Sequence, residues 1–176
     1  MTHESSVIFI GAHMNIERID ALAHHARVTP RKLAMIDLAS GREFDYQRMD
    51  ERVGRLAGVL QQRFGVGHGD RVAVLSRNST DVFEIQFACW RIGAIFVPVN
   101  WRLTVPEIEY ILSDSDPRVL VVDKAFQEAL EGLQARNVVP AHLARGGCDS
   151  EYERLLAQAS AGEQRPVSLE ESSTVI

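Results

Sequence analysis

Cysteine is nearly absent: Cys89 and Cys148 are the two among 176 residues. A chain of this length can bury a core without cross-links, and no CxxC or Cys/His spacing suggests zinc. Two free thiols in a reducing compartment are expected. Long apolar runs are missing too. The patch Val7–Ile10 near the start has no basic flank, is too short for a signal sequence, and is far too short to cross a bilayer. The expectation is a cytoplasmic protein with no membrane span and a loose segment over residues 1–14. Basic tracts are also lacking. Lys and Arg number 19 against 24 Asp and Glu, giving a net charge of −5, and the basic residues are scattered. Nucleic acid is therefore not expected as a partner, because phosphate backbones are bound by clustered cations.

Catalytic signatures are equally sparse. No GxSxG elbow offers a nucleophile. The glycines of "GVGHGDRVAVL" close a helix and precede a strand, whereas phosphate loops follow a strand and open a helix, so they read as a turn. His24 and His25 are adjacent and point about 100° apart on a helix, which is poor geometry for one metal. With His13 nearby in the sequence, the three read as solvated histidines, and His68 and His142 have no partner at ligand spacing. Asp114 and Asp116 end a helix ahead of Pro117 and read as turn residues. Lys124 reads as a solvated surface lysine. Trp90 lies on an apolar helix and reads as core. Trp101 follows Asn100 at the carboxyl end of a strand, where open α/β sheets place ligands, though a structural role is the stronger expectation. No catalytic, cofactor-binding or metal-ligating residue is therefore assigned from the residues themselves.

What the chain does have is order. Asn15 can cap a helix to about Arg27, with Ile16, Ile19, Ala23 and Ala26 on one face, ended by Thr29-Pro30. "KLAMIDL", the turn Ser40-Gly41 and "EFDY" read as a small hairpin. Asp45 caps the next helix, with Phe44 and Met49 as a hydrophobic staple and Met49, Val53, Leu56, Leu60 and Phe64 on its buried face. Strands then alternate with helices: "RVAVLS", "AIFVPV", "RVLVVD" and "NVVPAHL" as strands, "NSTDVFEIQFACWRIG", "TVPEIEYILSDS", "AFQEALEGLQAR" and "YERLLAQAS" as helices. The helix through Val82–Ile92 is apolar nearly all round. Thr104 and Glu107 form a capping box, with Leu103 and Ile108 as a staple. Unbroken apolar strands between amphipathic helices predict an α/β fold, a mostly parallel sheet covered on both faces, plus the N-terminal hairpin. "GCDSEYE" and "GEQRPVSLEESS" read as loops, and "SSTVI" as the start of a further strand.

Three blocks carry a resemblance. "FDYQRMDERVGRLAGVL" is similar to "TYxELxxRxxRLAxxL", "GVGHGDRVAVLSRNS" to "GVxxGDRVAVLxxNS", and "CWRIGAIFVPVNWRLTVPEIEYILSDSDPRVLVV" to "xxKAGAxxVPLNPRLTxxELxYxLxDSxxxxLV". Together they resemble the amino-terminal region of the acyl-CoA synthetases, in the adenylate-forming, AMP-binding superfamily. The resemblance implies an acid–thiol ligase. Such enzymes activate a carboxylic acid, here of fatty or aryl type, with Mg-ATP to an acyl-adenylate, then transfer the acyl group to coenzyme A. Trp101 departs from the family's frequent Pro or Asp at that position. In some relatives a basic segment after the third strand meets the coenzyme A nucleotide; here that stretch offers Lys124 alone.

The family's phosphate loop, "YTSGTTGxPKG", is not in the sequence, nor are its later catalytic blocks. The expectation is an incomplete subdomain over residues 15–176, cut before the phosphate loop and inactive by itself, with ATP, Mg and coenzyme A belonging to the parent enzyme. Its uncovered apolar faces, such as that of Val82–Ile92, should promote self-association. The alternative is a non-catalytic interaction module of the same fold that pairs with another chain or with itself.

Overall fold

The computed structural model describes residues 20–162. The expected cap at Asn15, the face positions Ile16 and Ile19, and the segments "EQRPVSLEESS" and "SSTVI" lie outside the described residues. The first helix described, α1 (Ala21–Val28), is capped by Asp20, whose carboxylate accepts from Ala23 N at 2.9 Å. Leu22 is its buried residue, while Ala23 and Ala26 are half-buried. The helix thus begins at Ala21 rather than running continuously from Asn15. The hairpin β1 (Leu33–Asp37) and β2 (Arg42–Asp45) forms as expected, and Asp37 organises its turn by accepting from Ala39 N and Ser40 N.

Helix α2 (Tyr46–Phe64) starts at the expected cap, Asp45, which accepts from Arg48 N at 2.8 Å. It ends at Gly65 with φ 65°, a left-handed conformation that glycine adopts without steric cost. Phe44 and Met49 are both buried, consistent with the staple. Then follow β3 (Arg71–Leu75), α3 (Thr80–Ile92), β4 (Ile95–Val99), α4 (Val105–Ser115), β5 (Val119–Asp123), a 3-10 turn at Lys124–Phe126, α5 (Gln127–Gln134), β6 (Ala141–Arg145) and α6 (Glu151–Gln158). The capping box opens α4: Glu107 accepts from both Thr104 N and Thr104 Oγ1 at 2.7 Å. Those bonds hold the exposed Glu107 carboxyl below its ordinary range.

The last strand is shifted from its expected place at residues 137–143. Asn137 sits at φ 61°, Pro140 has no N–H to give a ladder, and pairing begins only at Ala141 opposite Val119.

The four strands pair in parallel in the order β4-β3-β5-β6. Period-2 alternation divides the core. Val72, Val74, Phe96, Val119, Val121 and Leu143 face α2, α3 and α6. Ala73, Leu75, Val97, Val99, Leu120 and Val122 face α4 and α5. The chain steps from β3 to β4 through α3 on one face and from β5 to β6 through α5 on the other. A constant crossover hand requires this when the direction of travel reverses. The reversal falls between β3 and β5.

Two features correct the picture of α3 as an apolar rod. Its apolar side is packed rather than open: Ile85, Ala88, Cys89 and Ile92 are buried in the core shared with α2. Asp81, Glu84 and Arg91 are buried as well. Arg91 donates to Asp20 and to both the side chain and the carbonyl of Asp50, tying the end of α3 to α1 and α2. After α6 the chain crosses α2 over Gly54 and Gly58, with Gly162 N donating to Gly54 O at 2.8 Å.

Candidate functional site

Open parallel sheets hold ligands outside the carboxyl ends of their strands, where the winding reverses. Here that point lies beyond β3 and β5, and the protein's own side chains fill it. Period-2 alternation brings Ser76, Asp123 and Arg145 to the α3 face, and Asp123 stands opposite Arg145 in the strand register. Arg145 is 6% exposed. Its Nε and Nη2 donate to Asp81 Oδ2 at 3.1 and 2.9 Å; its Nη1 lies 2.8 Å from Asp123 Oδ2 and also donates to Ser76 Oγ.

The network continues outward. Asp81 Oδ1 accepts from Arg42 Nη2 at 2.8 Å, and Arg42 also reaches Asp37 and Glu153. Arg52 makes bidentate bonds to Glu84, at 2.5 and 3.0 Å, and to Glu153, at 2.9 and 2.8 Å. Tyr152, fully buried, donates to Glu84 at 2.8 Å. Buried charges survive only when paired in this way.

Burial pushes the Glu84 carboxyl above its ordinary range, which the Arg52 bonds only partly offset. Burial raises the Tyr152 phenol too, aided by the Glu84 and Asp81 charges. Burial works against charge on Arg52 and Arg42, but their carboxylate partners outweigh it and raise both. For Asp37, burial is outweighed by hydrogen bonds from Ser40, Arg42 and Ala39, so its carboxyl is held below its ordinary range.

Beside this network lies an open groove. It has a volume of about 660 Å³ and runs along the carboxyl ends of β3 and β4, with Val74, Val82, Phe96 and Pro98 on its apolar side. Its polar wall is built from two loops, Ser76–Asn78 and Asn100–Arg102. The Arg77 guanidinium lies 5.0 Å from the Trp101 ring centre and that of Arg102 lies 4.2 Å from it. Both arginines are exposed and, among the described residues, neither is joined to a carboxylate. Trp101 also lies 6.1 Å from Phe126, linking this wall to the turn after β5. Two free guanidiniums beside a half-exposed indole suit a ligand with a planar group and negative charge.

The other residues singled out from the sequence do not gather. His24 and His25 are exposed, with the His25 ring 4.8 Å from Tyr46. His68 lies against Gly93, and His142 is exposed. Asp116 ends α4 and accepts from Arg71, a turn role as expected. Trp90 packs edge-on against Phe87 at 5.2 Å. Burial raises the Cys89 thiol, while Cys148 is exposed. Among the described residues no group of three His, Cys, Asp or Glu can hold a metal ion. Lys124 is exposed, with its stem against Gly146 and its Nζ beside Gly147. Those glycines follow β6 and precede α6, the order of a phosphate loop. The first turn of α6, however, carries Glu151 and Glu153, and Ser150 Oγ already takes Glu153 N.

Sequence reasoning missed the charged network and Arg77. One signal was present: Asp81 and Glu84 share the helical face of Ile85 and Ala88, so burying that face commits two carboxylates to find cations.

A family model described as "AMP-binding enzyme" matches residues 22–175. Among curated relatives, the chain is 37% identical over 117 residues to the fatty acid–[acyl-carrier-protein] ligase ScoC of Streptomyces coeruleorubidus, covering 66% of this chain and 22% of that enzyme. It is 40% identical over 110 residues to a feruloyl-CoA synthase of an Amycolatopsis species, covering 62% and 22%. Among solved structures, the N-terminal domain of FACL13 from Mycobacterium tuberculosis superposes with a TM-score of 0.73 at 29% identity, covering 81% of this chain and 36% of that one. The chain thus spans less than a third of the length of these two curated relatives.

Proposed function

Because this chain belongs to the AMP-binding enzyme family, we propose that it is the amino-terminal subdomain, over residues 15–176, of a ligase that joins a fatty or aryl carboxylic acid to coenzyme A through an acyl-adenylate. The groove at Arg77, Trp101 and Arg102 is the face that receives the coenzyme A nucleotide. One observation carries this assignment: two guanidiniums, without carboxylate partners among the described residues, lie over one indole in the open groove beside β4. An adenine ring can stack on the indole or a guanidinium, and the remaining guanidinium N–H groups can donate to phosphate. Bound there, coenzyme A supplies the thiol that accepts the acyl group. Arg77 and Arg102 hold its anionic end, while Val82, Phe96 and Pro98 line the apolar wall. ATP and magnesium are assigned no residue in this chain, since neither a family phosphate loop nor a cluster of metal-binding side chains is found among the residues described.

Two measurements test the reading. Coenzyme A should quench Trp101 fluorescence saturably, and pantetheine, which lacks the nucleotide, should not. Dephospho-coenzyme A should bind about tenfold more weakly, the equivalent of one charge-assisted hydrogen bond. Equal binding of coenzyme A and pantetheine, or no binding at all, would overturn the assignment. Pyrophosphate release with a panel of fatty and aromatic acids should show no turnover by the 176-residue chain; turnover would refute the inactive-subdomain reading.

A further inference from the structure

We propose that Ser76 is a positioning residue that transmits the fixed placement of the buried Arg145 to Arg77 on the groove wall; its value for ligand binding rests on the groove assignment above. Ser76 stands one residue beyond β3, at the boundary between the filled switch point and the open groove. Its hydroxyl works in both directions. Oγ accepts from Arg145 Nη1 and donates to the Arg77 carbonyl at 2.6 Å.

The inner side of this relay is rigid. Arg145 is nearly enclosed and held by Asp81 and Asp123, so its Nη1 has little freedom. The outer side is otherwise loose. Arg77 is exposed, its guanidinium has no carboxylate partner among the described residues, and it lies 5.0 Å from the centre of the Trp101 ring. The second arginine of the wall is pinned by a parallel device: Arg102 N donates to Asn100 Oδ1 at 3.1 Å. Each guanidinium is thus carried on a loop whose backbone is fixed by a neighbouring polar side chain. An arginine held before the ligand arrives loses less rotamer freedom on binding, and that saving appears as affinity.

The test uses the chain in a Trp90→Phe background, which leaves Trp101 as the one indole. Acrylamide quenching of Trp101 without ligand reads the Arg77 stack directly. Ser76→Ala should raise quenching toward the level of Arg77→Ala. Ser76→Thr, which keeps the hydroxyl, should match the parent, and Ser76→Ala should add nothing once Arg77 is already alanine. Coenzyme A affinity should fall about three- to tenfold in Ser76→Ala, the scale of one neutral hydrogen bond. Ser76→Cys, a weaker hydrogen-bonding isostere, should lie between parent and alanine and replaces Ser76→Ala if that variant does not fold. A role in stability alone would lower the melting temperature while leaving the quenching order unchanged, and that result would overturn the proposal. If coenzyme A binds none of the variants but the quenching order holds, the relay stands and the coenzyme A assignment falls.

Discussion

Replacing Arg145 by alanine removes the cation that closes the switch point. Arg145 gives two hydrogen bonds to Asp81 and reaches Asp123 and Ser76 with its Nη1. Breaking a buried pair by deleting one partner costs about 3–5 kcal/mol, because the other charge is left buried without compensation. The lower end applies here. Asp81 keeps its 2.8 Å bond from Arg42, and the Asp123 side chain is still 18% exposed. A loss of about 3 kcal/mol is a large share of the 5–15 kcal/mol that stabilises an ordinary domain. With a urea slope near 2 kcal/mol per molar, the midpoint should fall by roughly 1.5 M. Arg145→Lys should lose about half as much, since one ammonium cannot span Asp81, Asp123 and Ser76 together. In the Arg145→Ala background, Asp81→Asn should cost about 2 kcal/mol less than it does in the parent. Urea unfolding followed by circular dichroism reads all five species, the parent, the three single variants and the double variant. A midpoint shift below about 0.5 M, or strict additivity of the two substitutions, would show that the plug contributes nothing and refute the reasoning.

Glu84 and Asp37 should move stability with pH in opposite senses. The Glu84 carboxyl is raised on folding, so its contribution is full below the ordinary glutamate range and fades as pH rises through the folded value; Glu84→Gln should flatten that decline in unfolding titrations run upward from the ordinary glutamate range. The Asp37 carboxyl is lowered, so its contribution is present at neutral pH and lost in acid; the gap between the parent and Asp37→Asn should close as pH falls below about 4. A pH-independent gap in either case would contradict the assigned direction. Gly58→Ala places a Cβ 2.3 Å from Ser160 O and should cost about 1–3 kcal/mol, whereas at Gly54 the nearest atom is 3.6 Å away and alanine should be neutral or stabilising; equal melting temperatures would count against the packing of residues 160–162 on α2. Leu38 is 92% exposed near the exposed Leu33 and Ile36 of the hairpin. Light scattering should show concentration-dependent association that Leu38→Asp weakens, and a monodisperse monomer at all concentrations would remove that expectation.

The elements legible in the sequence are those with local causes. Asp45 and the Thr104–Glu107 box are capping residues whose partners lie three positions away. The apolar strands and the amphipathic α2 follow from periodicity alone. The misplaced strand β6 has a local cause too, since Asn137 and Pro140 spoil the ladder that its apolar neighbours suggest. The charged network could not be read this way. Arg52 meets Glu153 across 101 residues and Arg42 meets it across 111. Local pattern specified that Asp81 and Glu84 face inward but not which cations would meet them. The groove was half visible: Trp101 stood at the right end of its strand, whereas Arg77, one strand earlier in the chain, comes beside it only because β3 and β4 pair in parallel.

The same topology explains why the polar chemistry of this sheet has two separate characters. Parallel pairing brings the ends of β3, β5 and β6 together on the α3 face, where Arg145 pairs with Asp81 and Asp123 and Arg42 supplies the second cation on Asp81. A ligand carrying phosphate would have to compete with those carboxylates for Arg145, leaving Asp81 with Arg42 alone and Asp123 without its cation, at a cost comparable to breaking the pair. At the β4 edge no such competition exists. Arg77 and Arg102 line the groove and, among the described residues, pair with no carboxylate, so an arriving anion would gain their hydrogen bonds without displacing one of those residues. The ion pairs at the strand ends therefore hold the helices and strands in place, and the proposed coenzyme A groove lies beside them at the β4 edge, with Ser76 contacting both.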